Sequence, residues 1–218
     1  MSLRNTGIFA ASTALALMVA IAAPSVAQMN DKTVMVGGAA MYPSKNIVEN
    51  AMNSKDHTTL VAAVKAADLV ATLQSAGPFT VFAPTNEAFG KLPAGTVDNL
   101  VKPENKPTLT KVLTYHVVAG RYTAHDLMDM VKKGGGKAEL KTVEGETLTI
   151  WQQGDKLGVN DSKNNTAWVS IPDVMQSNGV IHGFLNRAKG GLALGDVERR
   201  AKNNQREREN RGIEQSEA

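Results

Sequence analysis

The sequence predicts an α+β fold, and three observations carry that prediction. Residues 56–76 repeat apolar side chains at helical spacing, through Leu60, Val64 and Ala67 and then Leu69, Val70 and Leu73. From Glu139 onward the period changes to two. Between them, residues 79–92 read as a strand, a sharp stop and a helical turn. A mainly helical half followed by a mainly β half indicates segregated layers rather than alternating βα units.

Residues 79–92 organise the rest. Phe79 and Val81 alternate with Thr80 and Phe82, the aromatic and β-branched types that strands favour. Pro84 cannot donate to a ladder and stops the strand. Thr85 caps a short helix, with Glu87 in the first turn where the helix dipole favours an acid. Phe89 and Leu92, three apart, share a face of that helix.

In chain order, residues 1–27 have the pattern of a secretory signal. Arg4 supplies the positive end, residues 8–23 are apolar and alanine-rich, and Ser25-Val26-Ala27 fits a small-x-small cleavage site before Gln28. An uncleaved anchor is the rival reading, but the run is short and alanine-rich for a bilayer crossing. No stable membrane span is expected after cleavage. Residues 28–43 are polar, contain glycine and lack periodicity, which predicts a flexible lead-in. The folded domain is expected over residues 44–187. Ser44 is its first candidate cap, with Ile47, Val48, Ala51 and Met52 facing inward. Thr58 or Thr59 caps the next helix, which breaks near Ala67-Asp68 and ends at Gly77-Pro78.

A short helix follows at residues 97–101. Residues 108–114 form another, with Leu109, Val112 and Leu113 inward, and it feeds a strand-like Tyr115-His116-Val117-Val118. Thr123 and Asp126 resemble a capping box that opens a helix through Leu127, Met130 and Val131, broken by Gly134-Gly135-Gly136. Strands are expected at 140–142, 148–151, 157–159, 166–171 and 180–184, with a polar hairpin turn at 160–165. Residues 188–218 are rich in Arg, Glu, Asn and Gln, which predicts a disordered tail. The core should include Phe79, Val81, Phe82, Phe89, Leu113, Val117, Val180 and Ile181, with the strands of Phe79 and Val180 in one core.

Composition narrows the chemistry. The 218 residues are 42% hydrophobic and 21% charged, with a net charge of +3. The basic residues are interleaved with acids, and Lys132, Lys133 and Lys137 surround glycines in what reads as a solvated loop. No nucleic-acid partner is expected. The absence of cysteine excludes disulfides, thiol catalysis and cysteine-ligated metals. No metalloprotease, nucleophile-elbow or P-loop pattern surrounds the four histidines, His57, His116, His125 and His182. His125 and Asp129 are four apart, but two ligands make a poor metal site. Asp56-His57 reads as a helix start. The Asn160–Asn165 run lacks the glycine and terminal Glu of an EF-hand, and Lys163 sits in its middle. Trp151 and Trp168 read as cross-strand partners. No catalytic residue, cofactor or metal is expected.

The run GPFTVFAPTNEAFGKLP at 77–93, Tyr115-His116-Val117-Val118 with Gly120, and Ser177-Asn178-Gly179-Val180-Ile181-His182 occur in that order. Together they resemble the signature motifs of fasciclin-type domains, across about residues 44–186. The resemblance implies a β-wedge of two small sheets with helices packed to one side. It implies a secreted, non-catalytic module of adhesion or interaction, located in the periplasm or medium, whose partner is a protein or polysaccharide at the cell surface. Carried over from animal members, Tyr115 and His116 are the candidate binding residues. Their own apolar context points instead to buried side chains, His116 and His182 bonding backbone or hydroxyl groups. The alternative function is a carrier of a small apolar ligand, carotenoid- or lipid-like, in a cleft between sheet and helices. One departure stands out. Gly183, Leu185 and Arg187 replace an apolar residue, an acid and another apolar residue of the usual pattern, which predicts a short last strand that loses register after Phe184.

Overall fold

A computed structural model describes residues 33–187 of the chain. The expected signal segment and the polar tail lie outside the described residues.

The chain enters as a hairpin, where a flexible lead-in was expected. Strand β1 (Val34–Val36) pairs with β2 (Ala39–Met41) across Gly37-Gly38, both with positive φ. That is the two-residue turn whose twist suits a hairpin. Val36 and Met41 are buried, so the hairpin belongs to the core. The strands are three residues each, too short to show a period. Gly37 is required for space as well: a Cβ there would lie 2.6 Å from the Ser54 hydroxyl.

Helix α1 (Ile47–Asn53) is capped by Asn46, two residues beyond the expected Ser44. The Asn46 side-chain oxygen accepts from the amides of Val48 and Glu49, each at 3.0 Å, and the Glu49 carboxylate accepts from the Asn46 backbone amide at 2.8 Å. Ile47 and Val48 face inward as expected, but Met52 is exposed and Asn50 is buried in its stead. Asn50 is satisfied there by the Tyr42 backbone and the Gln176 side chain. Helices α2 (Thr58–Ala66) and α3 (Val70–Gln74) are separated at Asp68, which adopts φ 56°. Neither Thr58 nor Thr59 caps α2. The cap comes from Asn86, whose side-chain oxygen accepts from the Thr59 amide at 3.0 Å.

Strand β3 (Phe79–Pro84) and helix α4 (Asn86–Gly90) form as the sequence predicts, with the Thr85 hydroxyl accepting from the Ala88 amide. Helix α5 (Thr96–Leu100) leads to α6 (Lys106–Tyr115), then strand β4 (Val117–Ala119). The Tyr-His pair is therefore a helix end and its cap, not part of a strand. Helix α7 (Ala124–Lys133) carries the expected Thr123–Asp126 capping box. Strands β5 (Lys137–Lys141), β6 (Thr147–Gln153), β7 (Lys156–Asn160), β8 (Thr166–Gln176) and β9 (Gly179–Arg187) complete the domain.

These strands form one seven-stranded sheet in the order β4-β3-β9-β8-β7-β6-β5, beside the separate hairpin. The wedge is thus a bent, continuous sheet. Its register along β8 and β9 shifts at three places, and such irregularities bend and twist a strand. An isolated bridge from Val118 to Thr142 brings β4 back to the end of β5. The β3–β9 pair is parallel, running from Phe79 opposite Gly179 to Pro84 opposite Phe184. The first and second signature motifs are therefore neighbouring strands, in one sheet.

Two apolar clusters result. Val81, Ala83, Val174 and Ile181 face helices α1, α2 and α6 in one. Phe82, Phe184, Ile150 and Val159 pack with Leu127 and Val131 of α7 in the other. A strand covered on both faces reads as a nearly continuous apolar run, which is the sequence of β3 apart from Thr80, whose hydroxyl donates to the Gly120 carbonyl at 2.8 Å. Of the expected core residues, Phe79 is half-buried and the rest are buried. The last strand continues to Arg187, beyond its expected end. Its register does slip where anticipated: Val169 faces Phe184 and Trp168 faces Asn186, leaving Leu185 as the extra residue.

Candidate functional site

Tyr115 and His116 end helix α6 and lie against opposite clusters. Tyr115 packs in the α7 cluster, its hydroxyl 3.5 Å from the Thr147 carbonyl. Burial pushes that hydroxyl up to about 12. His116 is buried too, and its Nδ1 lies 2.7 Å from the Val112 carbonyl, to which it donates. Neither ring forms the surface. What lies exposed beside the motif is Val143, in the β5–β6 turn, whose amide donates to the Val117 carbonyl at 2.8 Å. The Glu144 carboxylate, next to it, is 3.8 Å from the Lys111 ammonium on α6.

His182 is fully buried in β9. Its Nε2–H donates to the Tyr122 carbonyl at 2.8 Å, and its Nδ1 accepts from the Asp173 amide at 3.3 Å. The ring stacks on Phe82 with centroids 5.6 Å apart. Burial holds its pKa below the usual imidazole value. Asp173, in turn, accepts from the Ala124 amide at 2.7 Å, so His182 and Asp173 together fix the entry to α7.

Sequence reasoning missed Asn178, which joins three elements from the β8–β9 turn. Its side-chain oxygen accepts from the Ile47 amide at the start of α1, at 3.0 Å. Its Nδ2 donates to the carbonyls of Leu73 and Ser75 at the end of α3, each at 2.8 Å. Its backbone carbonyl accepts from the Phe79 amide at 3.0 Å. The signal available was Asn-Gly at a turn, which reports the turn and not the distant helices.

Between helices α1, α2, α3 and α6 and strands β3, β8 and β9 lies a cavity of about 90 Å³. Ile47, Leu60, Val64, Leu73 and Ile181 supply much of its wall, and Val143, Lys65 and Thr72 stand at exposed positions on its lining. His57 and Ser54 are its buried polar pair, with Ser54 Oγ 2.8 Å from His57 Nδ1. His57 Nε2 is buried without a partner among the described residues, and burial lowers the ring's pKa.

The remaining candidates make local contacts. His125 Nε2 lies 3.5 Å from the Asp129 carboxylate on an exposed helix face. No cluster of three or more metal-ligating side chains occurs among the described residues. Asp161 accepts from the amides of Lys163 and Asn165 at 2.9 and 2.8 Å, so its carboxylate closes the hairpin turn. Trp151 and Trp168 flank Gly158 across adjacent strands, ring centroids 4.8 Å apart. A Cβ on Gly158 would come within 2.5 Å of the Trp151 ring, so the glycine makes room for it.

Residues 55–185 match the fasciclin domain family. The chain is 45% identical over 174 residues to the protein sll1483 of Synechocystis sp., covering 80% of this chain and 89% of the relative. It is 36% identical to the immunogenic protein MPB70 of Mycobacterium bovis, covering 71% and 81%. It is 34% identical to human periostin over 58% of this chain and 14% of that protein. Among solved structures, a FAS1 domain pair from the insect cell adhesion molecule fasciclin I matches at a TM-score of 0.60 and 16% identity, covering 71% of this chain and 57% of that one. That likeness concerns the fold.

Proposed function

The chain belongs to the fasciclin family, and from that premise we propose that it is an exported, non-catalytic module that binds a protein or polysaccharide at the cell surface or in the envelope. The observation that carries this reading is the exposed Val143 turn, held by a backbone hydrogen bond against the strand of the Tyr-His motif. Val143, exposed between the strand of the motif and the Glu144–Lys111 pair, suits the apolar centre of a small contact with a charged rim. Tyr115 and His116 act on that patch from beneath, by fixing the end of α6 and the start of β4. Export rests on the segment at 1–27, and the domain is taken as residues 44–187 with the hairpin at 34–41 added. No described helix is long and apolar enough to cross a membrane. The test is co-sedimentation of the exported protein with isolated envelope fragments. Saturable binding that a folded, unrelated protein of like charge does not show supports the reading, and recovery wholly in the supernatant refutes it.

A second reading, a carrier of a small apolar ligand, is favoured by the cavity beside helix α2. At about 90 Å³ it is smaller than the roughly 150 Å³ apolar cavity that takes benzene. A carotenoid would have to part the helices, whereas a small molecule or the end of a chain would not.

A further inference from the structure

The cavity beside α2 has an apolar wall and a polar pair, and the pair is incomplete. Ser54 Oγ and His57 Nδ1 are 2.8 Å apart, which leaves two ways to place the protons. If the Ser54 hydroxyl donates to Nδ1, the only group left over is the Nε2–H. If Nδ1–H donates to Ser54 instead, both the hydroxyl hydrogen and the Nε2 lone pair are left over. The first arrangement leaves fewer buried polar groups unmet, so Nε2 carries the proton and is a donor. It is buried, on a ring that lines the cavity, with no acceptor among the described residues.

We propose that this cavity is a ligand site for a small uncharged carbonyl compound, whose oxygen accepts from His57 Nε2–H and whose hydrocarbon part meets the wall of Ile47, Leu60, Val64, Leu73 and Ile181. The proposal rests on the reading of the cavity as a carrier site. A water molecule is a poor substitute, because a buried water needs two to four polar partners and this wall is almost wholly hydrocarbon. A carboxylate is a poor one as well, since burying an anion beside a neutral imidazole leaves its charge uncompensated. The volume limits the enclosed part to a small ring or the end of a chain. A longer chain would leave past the exposed rim at Lys65 and Thr72.

Cyclopentanone and cyclopentane are a matched pair of probes, alike in size and differing by the oxygen. Titration of isotope-labelled protein, followed through the methyls of Leu60 and Ile181 and the imidazole nitrogens of His57, reads both binding and contact. Both probes should move the methyls, the ketone should bind up to about tenfold more tightly, and only the ketone should shift Nε2. His57→Phe keeps an apolar wall without the donor and should bind the two probes equally. Should that variant fail to fold, Ser54→Ala serves instead: it releases the tautomer and should reduce the preference for the ketone. If neither probe binds the protein, the carrier reading fails and the inference with it. If cyclopentane binds as tightly as cyclopentanone, if water alone occupies Nε2, or if the variants keep the preference, the carbonyl assignment is overturned while the cavity reading survives.

Discussion

Asn178→Ala removes three side-chain hydrogen bonds at once, from a residue that is 6% exposed. The orphaned groups are the Ile47 amide and the carbonyls of Leu73 and Ser75. A buried polar group left unpaired costs about 1–3 kcal/mol. Ser75 is exposed, and water can replace its partner, so the full penalty falls on Ile47 and Leu73. The sum is about 2–6 kcal/mol. The backbone bond from Phe79 to residue 178 is retained, so the sheet itself should survive. In urea unfolding, with a slope of about 2 kcal/mol per molar, the midpoint should fall by about 1–3 M at unchanged slope. Asn178→Asp keeps an acceptor for Ile47 but turns a carboxylate toward two carbonyls, and should be at least as damaging at neutral pH. A loss below about 1 kcal/mol for the alanine variant would refute the idea that this turn clamps α1 and α3.

Three further outcomes follow from the same geometry. Phe82 is 1% exposed and stacks on both His182 and Phe184, so Phe82→Ala should cost about 3–5 kcal/mol in the same assay, and a loss under 1 kcal/mol would contradict its packing role. Burial holds His57 and His182 below the ordinary value of 6.5, so the unfolded chain binds protons there that the folded chain refuses. Stability should be complete above about pH 6.5 and fall as pH drops below it, by up to about 1.4 kcal/mol per unit for each ring; equal urea midpoints at pH 7.5 and 5.5 would contradict this. Gly183 has an ordinary backbone, and a Cβ there would sit 3.4 Å from the Ile171 Cβ, so Gly183→Ala should raise stability by about 0.5–1 kcal/mol, where a lowered melting temperature would show that the space is not available.

Much of the fold is legible because it depends on local chemistry. The Phe79–Pro84 strand, the Thr85 cap, the Thr123–Asp126 box and the period-two strands each follow from residues within a few positions of one another. What escapes is polar and distant. Asn50 meets Gln176 across 126 residues, Asn178 meets Ile47 across 131, and Asn86 caps a helix 27 residues away. Such contacts leave no period in the sequence. Tyr115-His116-Val117-Val118 looked like a strand because all four side chains are buried, and burial on every side erases the difference between helix end and strand. The cavity was legible only as an abundance of apolar residues in helices and sheet. His57 read as a helix start, and its unmet nitrogen depends on how α2 packs.

The central claim is that the Tyr-His motif shapes the contact surface from below while the Val143 turn makes the contact. Binding to envelope fragments and melting temperature, measured together on Val143→Glu and His116→Ala, test it most directly. Val143 is 48% exposed, so Val143→Glu should keep the melting temperature and lose binding. His116 is 6% exposed and bonded to Val112, so His116→Ala should lower the melting temperature while the protein that remains folded still binds. The reverse pattern, His116→Ala stable but unable to bind and Val143→Glu binding normally, would contradict the account.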